Sequence, residues 1–247
     1  MDTGSSAGAG SASERFAEAR ARLGGAQKSK AGVPAYLRYV NRRLGGWIAS
    51  VGYALGRTPD QLTAVSAAWS LLGIAAIAAA RPTPLVGLGV AACLLVGYAF
   101  DSADGQLSRL RGGGSRAGEW LDHVVDVAKT ASLHAAVVVS WFRWPPLERH
   151  EWLLVPLAFG IVNITFFFGM MLRDQLGGKP AAGTGDGSNG LVKSLALLPM
   201  DYGVLCLSFC LLGFPSAFAW SYAGLLVLNL AFAARSLAKA RRTLAAG

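Results

Sequence analysis

The sequence predicts an all-α integral membrane protein: six transmembrane helices preceded by an interfacial amphipathic helix. Three observations carry this reading. Hydrophobic residues make up 53% of the 247 residues and charged residues only 15%, too few charges to cover the surface of a water-soluble globule. Apolar stretches of roughly 20 residues recur, the length that crosses a ~30 Å hydrocarbon layer. Lys and Arg fall unevenly among the segments that join them, as membrane topology requires. The mean hydropathy of +0.42 excludes a disordered chain, and the 31 Gly and 10 Pro form no collagen-like repeat. In this setting the net charge of +9 reports topology and anionic lipid rather than nucleic acid, which is not expected as a partner. Cys93, Cys206 and Cys210 lie in apolar stretches and read as small buried hydrophobes, with neither disulfide nor metal-ligand spacing.

In chain order, residues 1–33 are rich in Gly, Ala, Ser and charge and are expected to form a disordered cytoplasmic arm. No apolar core or cleavage site there resembles a secretory signal. Over residues 34–57, Tyr36, Leu37, Val40, Leu44, Trp47, Ile48, Val51 and Leu55 recur at helical spacing, with Arg38, Arg42 and Arg43 elsewhere in the same stretch. This is the pattern of a helix lying in the interface, its basic face toward headgroups. The membrane domain is expected over 58–242, with a tail at 243–247. Its spans are Gln61–Ala80, opened by Thr58 and Pro59; Leu85–Leu107; Glu119–Phe142; Trp152–Leu172; Leu191–Leu212, interrupted by Pro199 and Asp201; and Phe214–Leu237.

Charge sets the orientation. The arm, the interfacial helix, the second-to-third loop, the fourth-to-fifth loop and the tail hold 19 of the 23 Lys and Arg. The opposite side holds Arg81, Arg143 and Arg149, and Lys129 is inside a span. The positive-inside rule therefore places both termini in the cytoplasm, in the inner (cytoplasmic) membrane. Trp141, Trp144 and Trp152 fall at the expected outer boundary, as an aromatic belt would.

Carboxylates at the ends of apolar helices are costly and mark function. Asp101 and Asp104 are spaced i, i+3 on the second span, and Asp122 and Asp126 i, i+4 on the third, so each pair shares a helix face. Gly118 lies one turn before and Lys129 nearly one turn after, on the same face. The short glycine-rich turn over 111–116 predicts antiparallel neighbours whose four carboxylates converge near the cytoplasmic side. Four like charges need compensating cations. Oxygen ligands without His or Cys suit Mg²⁺ or Mn²⁺, and this many can hold two ions.

The segment reads Asp101-Ser-Ala-Asp104-Gly105-Gln-Leu-Ser108-Arg109, eight residues, Gly118, three residues, Asp122, three residues, Asp126. It resembles the signature of the CDP-alcohol phosphatidyltransferases, D-x-x-D-G-x-x-A-R-x8-G-x3-D-x3-D, with every spacing kept and Ser108 in place of Ala. Thr58-Pro59-Asp60-Gln61-Leu62-Thr63 resembles the T-P-N-x-L-T start of that family's first membrane helix, with Asp60 in place of Asn; the alternative reading is a plain helix N-cap region.

The resemblance implies a CDP-alcohol donor, an alcohol acceptor, release of CMP, two divalent ions and, commonly, a homodimer. By that resemblance Asp101, Asp104, Asp122 and Asp126 hold the metals, and Asp126 is also the general base. Asp60, Gly105, Ser108, Arg109 and Gly118 border the CDP. Lys129 is either an ion-pair partner of Asp126 or an acceptor contact; Arg173 and Lys193, with Lys179, are acceptor candidates that the charge bias also explains. Asp201 either lines the cavity or caps a break after Pro199. Asn163, Thr165 and Asn229 read as interhelical hydrogen bonds, and His123, His134 and His150 show no mutual metal spacing. CDP-diacylglycerol with a polar alcohol is the first expectation, as in phospholipid biosynthesis. The stretch from Tyr36 to Arg43 resembles the opening segment of a branch joining CDP-inositol to inositol phosphate. An ion-coupled transporter is the alternative from another class; it lacks the inverted repeat and paired broken helices that class builds on.

Overall fold

The computed structural model describes residues 11–24, 33–177, 194–195 and 197–245. They form helices without strands: α1 (Ala12–Arg22), α2 (Arg42–Ala54), α3 (Pro59–Ala79), α4 (Pro84–Leu110), α5 (Arg116–Arg143), α6 (Leu154–Gln175), α7 (Tyr202–Ser208) and α8 (Pro215–Ala245). A π-helical turn, Leu37–Asn41, leads into α2. Five stretches, α3, α4, α5, His150–Gln175 and α8, are long and apolar enough to cross a membrane, which makes this a multi-pass membrane protein. Leu85, Phe142, Ile161 and Val227 are exposed on them, as side chains meeting lipid tails are.

The predicted fifth span differs. Part of Leu191–Leu212 lies outside the described residues. Its described portion is a 3-10 turn at Leu198–Met200, then α7, then a second 3-10 turn at Phe209–Leu211. The continuous apolar helix Tyr202–Leu211 rises only about 15 Å, half a hydrocarbon layer. Asp201 is the cause of the break: its side chain caps α7 at Gly203 N (3.0 Å) and accepts from Leu37 N (2.8 Å). Both of its readings hold: Asp201 caps α7 and also lines the cavity between α5, α6 and α8. The sixth predicted span continues past Leu237, and α8 runs into the predicted tail.

The arm expected to be disordered contains α1. Ser11 and Glu14 form a reciprocal capping box that satisfies orphan amides of the first turn. Ala19 and Leu23 are buried in a small core with Ala49, Leu62, Ala103, Leu107 and Leu110. Arg20 stacks on Trp47 and Arg22 donates to Leu110 O at 2.8 Å. Trp141, expected in an outer aromatic belt, is instead buried, edge-on to Trp152 and Tyr222.

α2 lies against α4 with an inverted amphipathic pattern. Gly45, Gly46, Ala49 and Gly52 face inward, while Leu44, Trp47, Val51 and Leu55 stand exposed. Asn41 donates to Tyr98 O (3.0 Å), and Gln106 to Arg42 O (3.1 Å). α3 packs on both α4 and α5. Ser66 donates to Gly97 O at 2.9 Å, and a Cβ at Gly97 would lie 3.1 Å from Ser66 O; small residues let these helices approach. α4 and α5, expected to be neighbours, meet through side chains, in the Lys129–Asp101 pair and in a core that takes in Leu94 and Val137. Their backbones have little close contact. Gly112 and Gly113 turn the chain between them with φ of 93° and 124°, angles that glycine adopts freely.

Candidate active site

α3, α4 and α5 each contribute polar groups to one cluster. Asp104 on α4 is buried and accepts from Thr63 Oγ1 of α3 at 2.7 Å. Lys129 on α5, also buried, forms an ion pair with Asp126 at 2.8 Å, a second with Asp101 across on α4, and a hydrogen bond to Ser66 Oγ at 3.3 Å. Asp101 and Asp126 thus meet through one ammonium rather than through helix contact. Asp122, His123 and Asp126 each offer a ligand atom, and these atoms lie within 4.8 Å of one another. This group takes in one imidazole and leaves out Asp101 and Asp104, unlike the all-carboxylate set expected; two carboxylates and an imidazole suit a divalent metal ion.

The other predicted residues border this cluster to different degrees. Asp60 lies in the first turn of α3, where its Oδ1 would stand 3.2 Å from a Cβ at Gly118; the two face each other. At Gly105 an added Cβ would meet only Arg109 Nη1, at 3.4 Å, so space is open before that glycine. Ser108 lies beneath the α4–α5 turn, its carbonyl accepting from Arg111 N and Gly113 N. Arg109 is near enough to Asp104 and Arg42 to feel both charges. Arg173, on the far end of α6, pairs with its neighbour Asp174 through Nε at 2.8 Å. Lys179 and Lys193 lie outside the described residues. Lys129 sits among carboxylates, in keeping with an ion-pair role for it.

A cavity of about 1000 Å³ opens between α5, α6 and α8. Its wall includes Phe166, Phe167, Met170 and Phe232, with Glu119 and His123 toward α5. His123 therefore touches both this cavity and the acidic cluster. Behind the cavity, His134 shares a hydrogen bond with Tyr222 OH at 2.5 Å and another with Asn163 at 3.0 Å. Asn229 donates to Pro199 O at 3.0 Å. Both asparagines thus serve as interhelical bonds, as expected.

On sequence alone Ser66 carries no reading, Thr63 enters only as part of the Thr58–Thr63 match, and His123 is set aside for want of a second histidine at metal spacing. The signal for the first two was small polar residues one turn apart on an otherwise apolar span. For His123 it was an imidazole between two motif aspartates, three residues from Asp126.

Comparison with known proteins identifies the family and the fold. The family model described as CDP-alcohol phosphatidyltransferase matches residues 57–235. No curated protein matches the chain significantly. Among solved structures, the Mycobacterium tuberculosis phosphatidylinositol phosphate synthase PgsA1 with CDP-DAG bound is similar in fold. Its TM-score is 0.54 at 18% identity, over 81% of this chain and 93% of that one. The family is generally dependent on divalent metals, and its members are transferases of phospholipid biosynthesis. This chain belongs to the CDP-alcohol phosphatidyltransferase family and is a CDP-alcohol phosphotransferase.

Proposed function

We propose that this enzyme moves a phosphoalcohol group, phosphatidyl in the first instance, from a CDP-alcohol to an acceptor hydroxyl and releases CMP. The observation that carries the proposal is that Lys129 pairs with Asp101 of α4 and Asp126 of α5, with Asp122 beside Asp126 and Asp104 held by Thr63. The CDP-DAG in the PgsA1 structure supports a CDP-diacylglycerol donor, and the apolar cavity beside His123 offers room for the hydrocarbon part of a lipid substrate.

In this reading Asp101, Asp104, Asp122 and Asp126 hold two divalent ions. Those ions, when bound, screen the pyrophosphate and stabilise charge developing in an in-line displacement. Asp60, Gly105, Ser108, Arg109 and Gly118 border the CDP; the open space before Gly105 and the Asp60–Gly118 approach suit a nucleotide there. The acceptor oxygen bonds to the phosphorus that bears the alcohol, and the bond from that phosphorus to the bridging anhydride oxygen breaks. The electron pair leaves with CMP. The acceptor proton passes to Asp126, the general base. Asp126→Asn is expected to lower CMP release by about 10²–10⁴-fold with helical content unchanged. Retained activity would remove the base assignment.

In this proposal α2 lies in the interface with its exposed Leu44–Trp47–Val51 stripe in lipid, and both termini face the cytoplasm of the inner membrane. A second donor class, CDP-inositol with inositol phosphate, has one observation in its favour. Arg38 and Arg42 are one turn apart beside α4, near Arg109, where a phosphate-bearing acceptor would need cations. The deciding experiment incubates purified enzyme and Mg²⁺ or Mn²⁺ with several CDP-alcohols and acceptors, measures CMP and identifies the product by mass. No CMP from any pair would overturn the proposed reaction.

A further inference from the structure

Lys129 stands inside the acidic cluster as a cation of the protein's own. Its side chain is 9% exposed, deeper than those of Asp101 at 22% and Asp126 at 27%. It engages Oδ1 of each carboxylate, so Oδ2 of each is not consumed by the ammonium. Ser66 Oγ on α3 holds the same nitrogen at 3.3 Å. One ammonium thus joins three helices, two of which barely meet through their backbones.

Two consequences follow from charge alone. Without a cation, clustered carboxylates at the end of apolar helices repel one another and cannot all stay ionised. A fixed positive charge among them removes part of that cost before any metal arrives. The same charge must also repel an incoming divalent ion, because both seek the same carboxylates over a few ångströms in a medium less polar than water. Loss of a strut between α4 and α5 would loosen ligand geometry and weaken metal binding; loss of a unit charge among the ligands would strengthen it. Over such distances the charge outweighs the strut.

We propose that Lys129 is a built-in counter-ion of the acidic cluster: it supports the metal-free protein and holds divalent-metal affinity below what the carboxylates alone would give. The proposal rests on the reading of this cluster as the metal site. Lys129 is in this role a positioning residue, acting through Asp101 and Asp126 rather than on substrate.

The test is Mn²⁺ binding to purified protein without nucleotide, followed by the loss of the free-ion electron paramagnetic resonance signal. Lys129→Met and Lys129→Gln are each expected to bind Mn²⁺ on the order of tenfold more tightly than the parent. Their metal-free forms should unfold at lower temperature, with a larger upward shift on adding Mn²⁺. Lys129→Arg, which keeps the charge, should bind Mn²⁺ nearly as the parent does. Equal or weaker Mn²⁺ binding by the neutral variants overturns the proposal, as does absence of Mn²⁺ binding from every form. Should the neutral variants not fold metal-free, they are expected to fold with saturating Mn²⁺ supplying the missing positive charge, and failure to fold in Mn²⁺ overturns the proposal. Intact Mn²⁺ binding with no CMP release from any substrate pair would instead overturn the proposed reaction alone.

Discussion

At the scale of single residues, the site depends on groups that do not themselves carry the motif. Thr63 is an example: its hydroxyl, 2.7 Å from Asp104 Oδ2, satisfies a carboxylate oxygen that burial would otherwise leave costly. Its own chain neighbours also hold it, since Oγ1 lies 3.2 Å from Pro59 O at the start of α3. Groups that orient a metal ligand in this way contribute about 10–100-fold to affinity or activity. Thr63→Val, nearly the same shape without the hydroxyl, is expected to lower CMP release within that range and to weaken Mn²⁺ binding. A variant with unaltered Mn²⁺ binding and CMP release would show that Asp104 needs no such support. His123 is in contact with both the acidic cluster and the apolar cavity.

At the scale of helices, small residues decide what can approach what. Gly97 lets α4 close on α3, where Ser66 donates to Gly97 O and Thr63 reaches Asp104. A Cβ at position 97 would collide with Ser70 Oγ and with α3 backbone, which cannot move as a side-chain tip can. Gly97→Ala is therefore expected to cost about 1–3 kcal/mol by overpacking, read as a lowered thermal unfolding midpoint. An unchanged midpoint would mean that α3 and α4 separate without penalty. α1 illustrates the opposite case, a helix made by local and tertiary terms together. The Ser11–Glu14 box starts it, and Ala19 and Leu23, burying against α2 and α4 neighbours, hold it in place.

At the scale of the whole molecule, apolar side chains are displayed outward and polar ones gathered within. Exposed Leu85, Phe142, Ile161 and Val227 contrast with buried Asn41, Ser66, Asp104, Lys129 and His134. That inversion is favourable only where the surroundings are hydrocarbon. The orientation across the bilayer is open to direct measurement. With Cys93, Cys206 and Cys210 replaced by Ala, a cysteine at exposed Arg149 should react with a membrane-impermeant maleimide on intact cells. One at exposed Thr243 should react only after lysis. The reverse pattern would invert the proposed topology and place the acidic cluster on the outer side.

Composition, periodicity and a run of spaced aspartates were enough to identify a helical membrane protein, most span positions and the residues of the family signature. These properties are local: a helix face follows from i, i+3 and i, i+4 spacing, and a span follows from length and hydropathy. The ordering of α1 was legible in Ser11 and Glu14, yet its docking needed partners 30 to 90 residues away. That α3 packs against both α4 and α5, that Asp201 ties the π-helical turn before α2 to α7, and that Lys129 bridges two carboxylates were decided by tertiary structure alone. Hydrophobic burial inside a bilayer drives helices together without prescribing which ones touch, and that choice fell to small residues and buried hydrogen bonds brought together only by the folded chain.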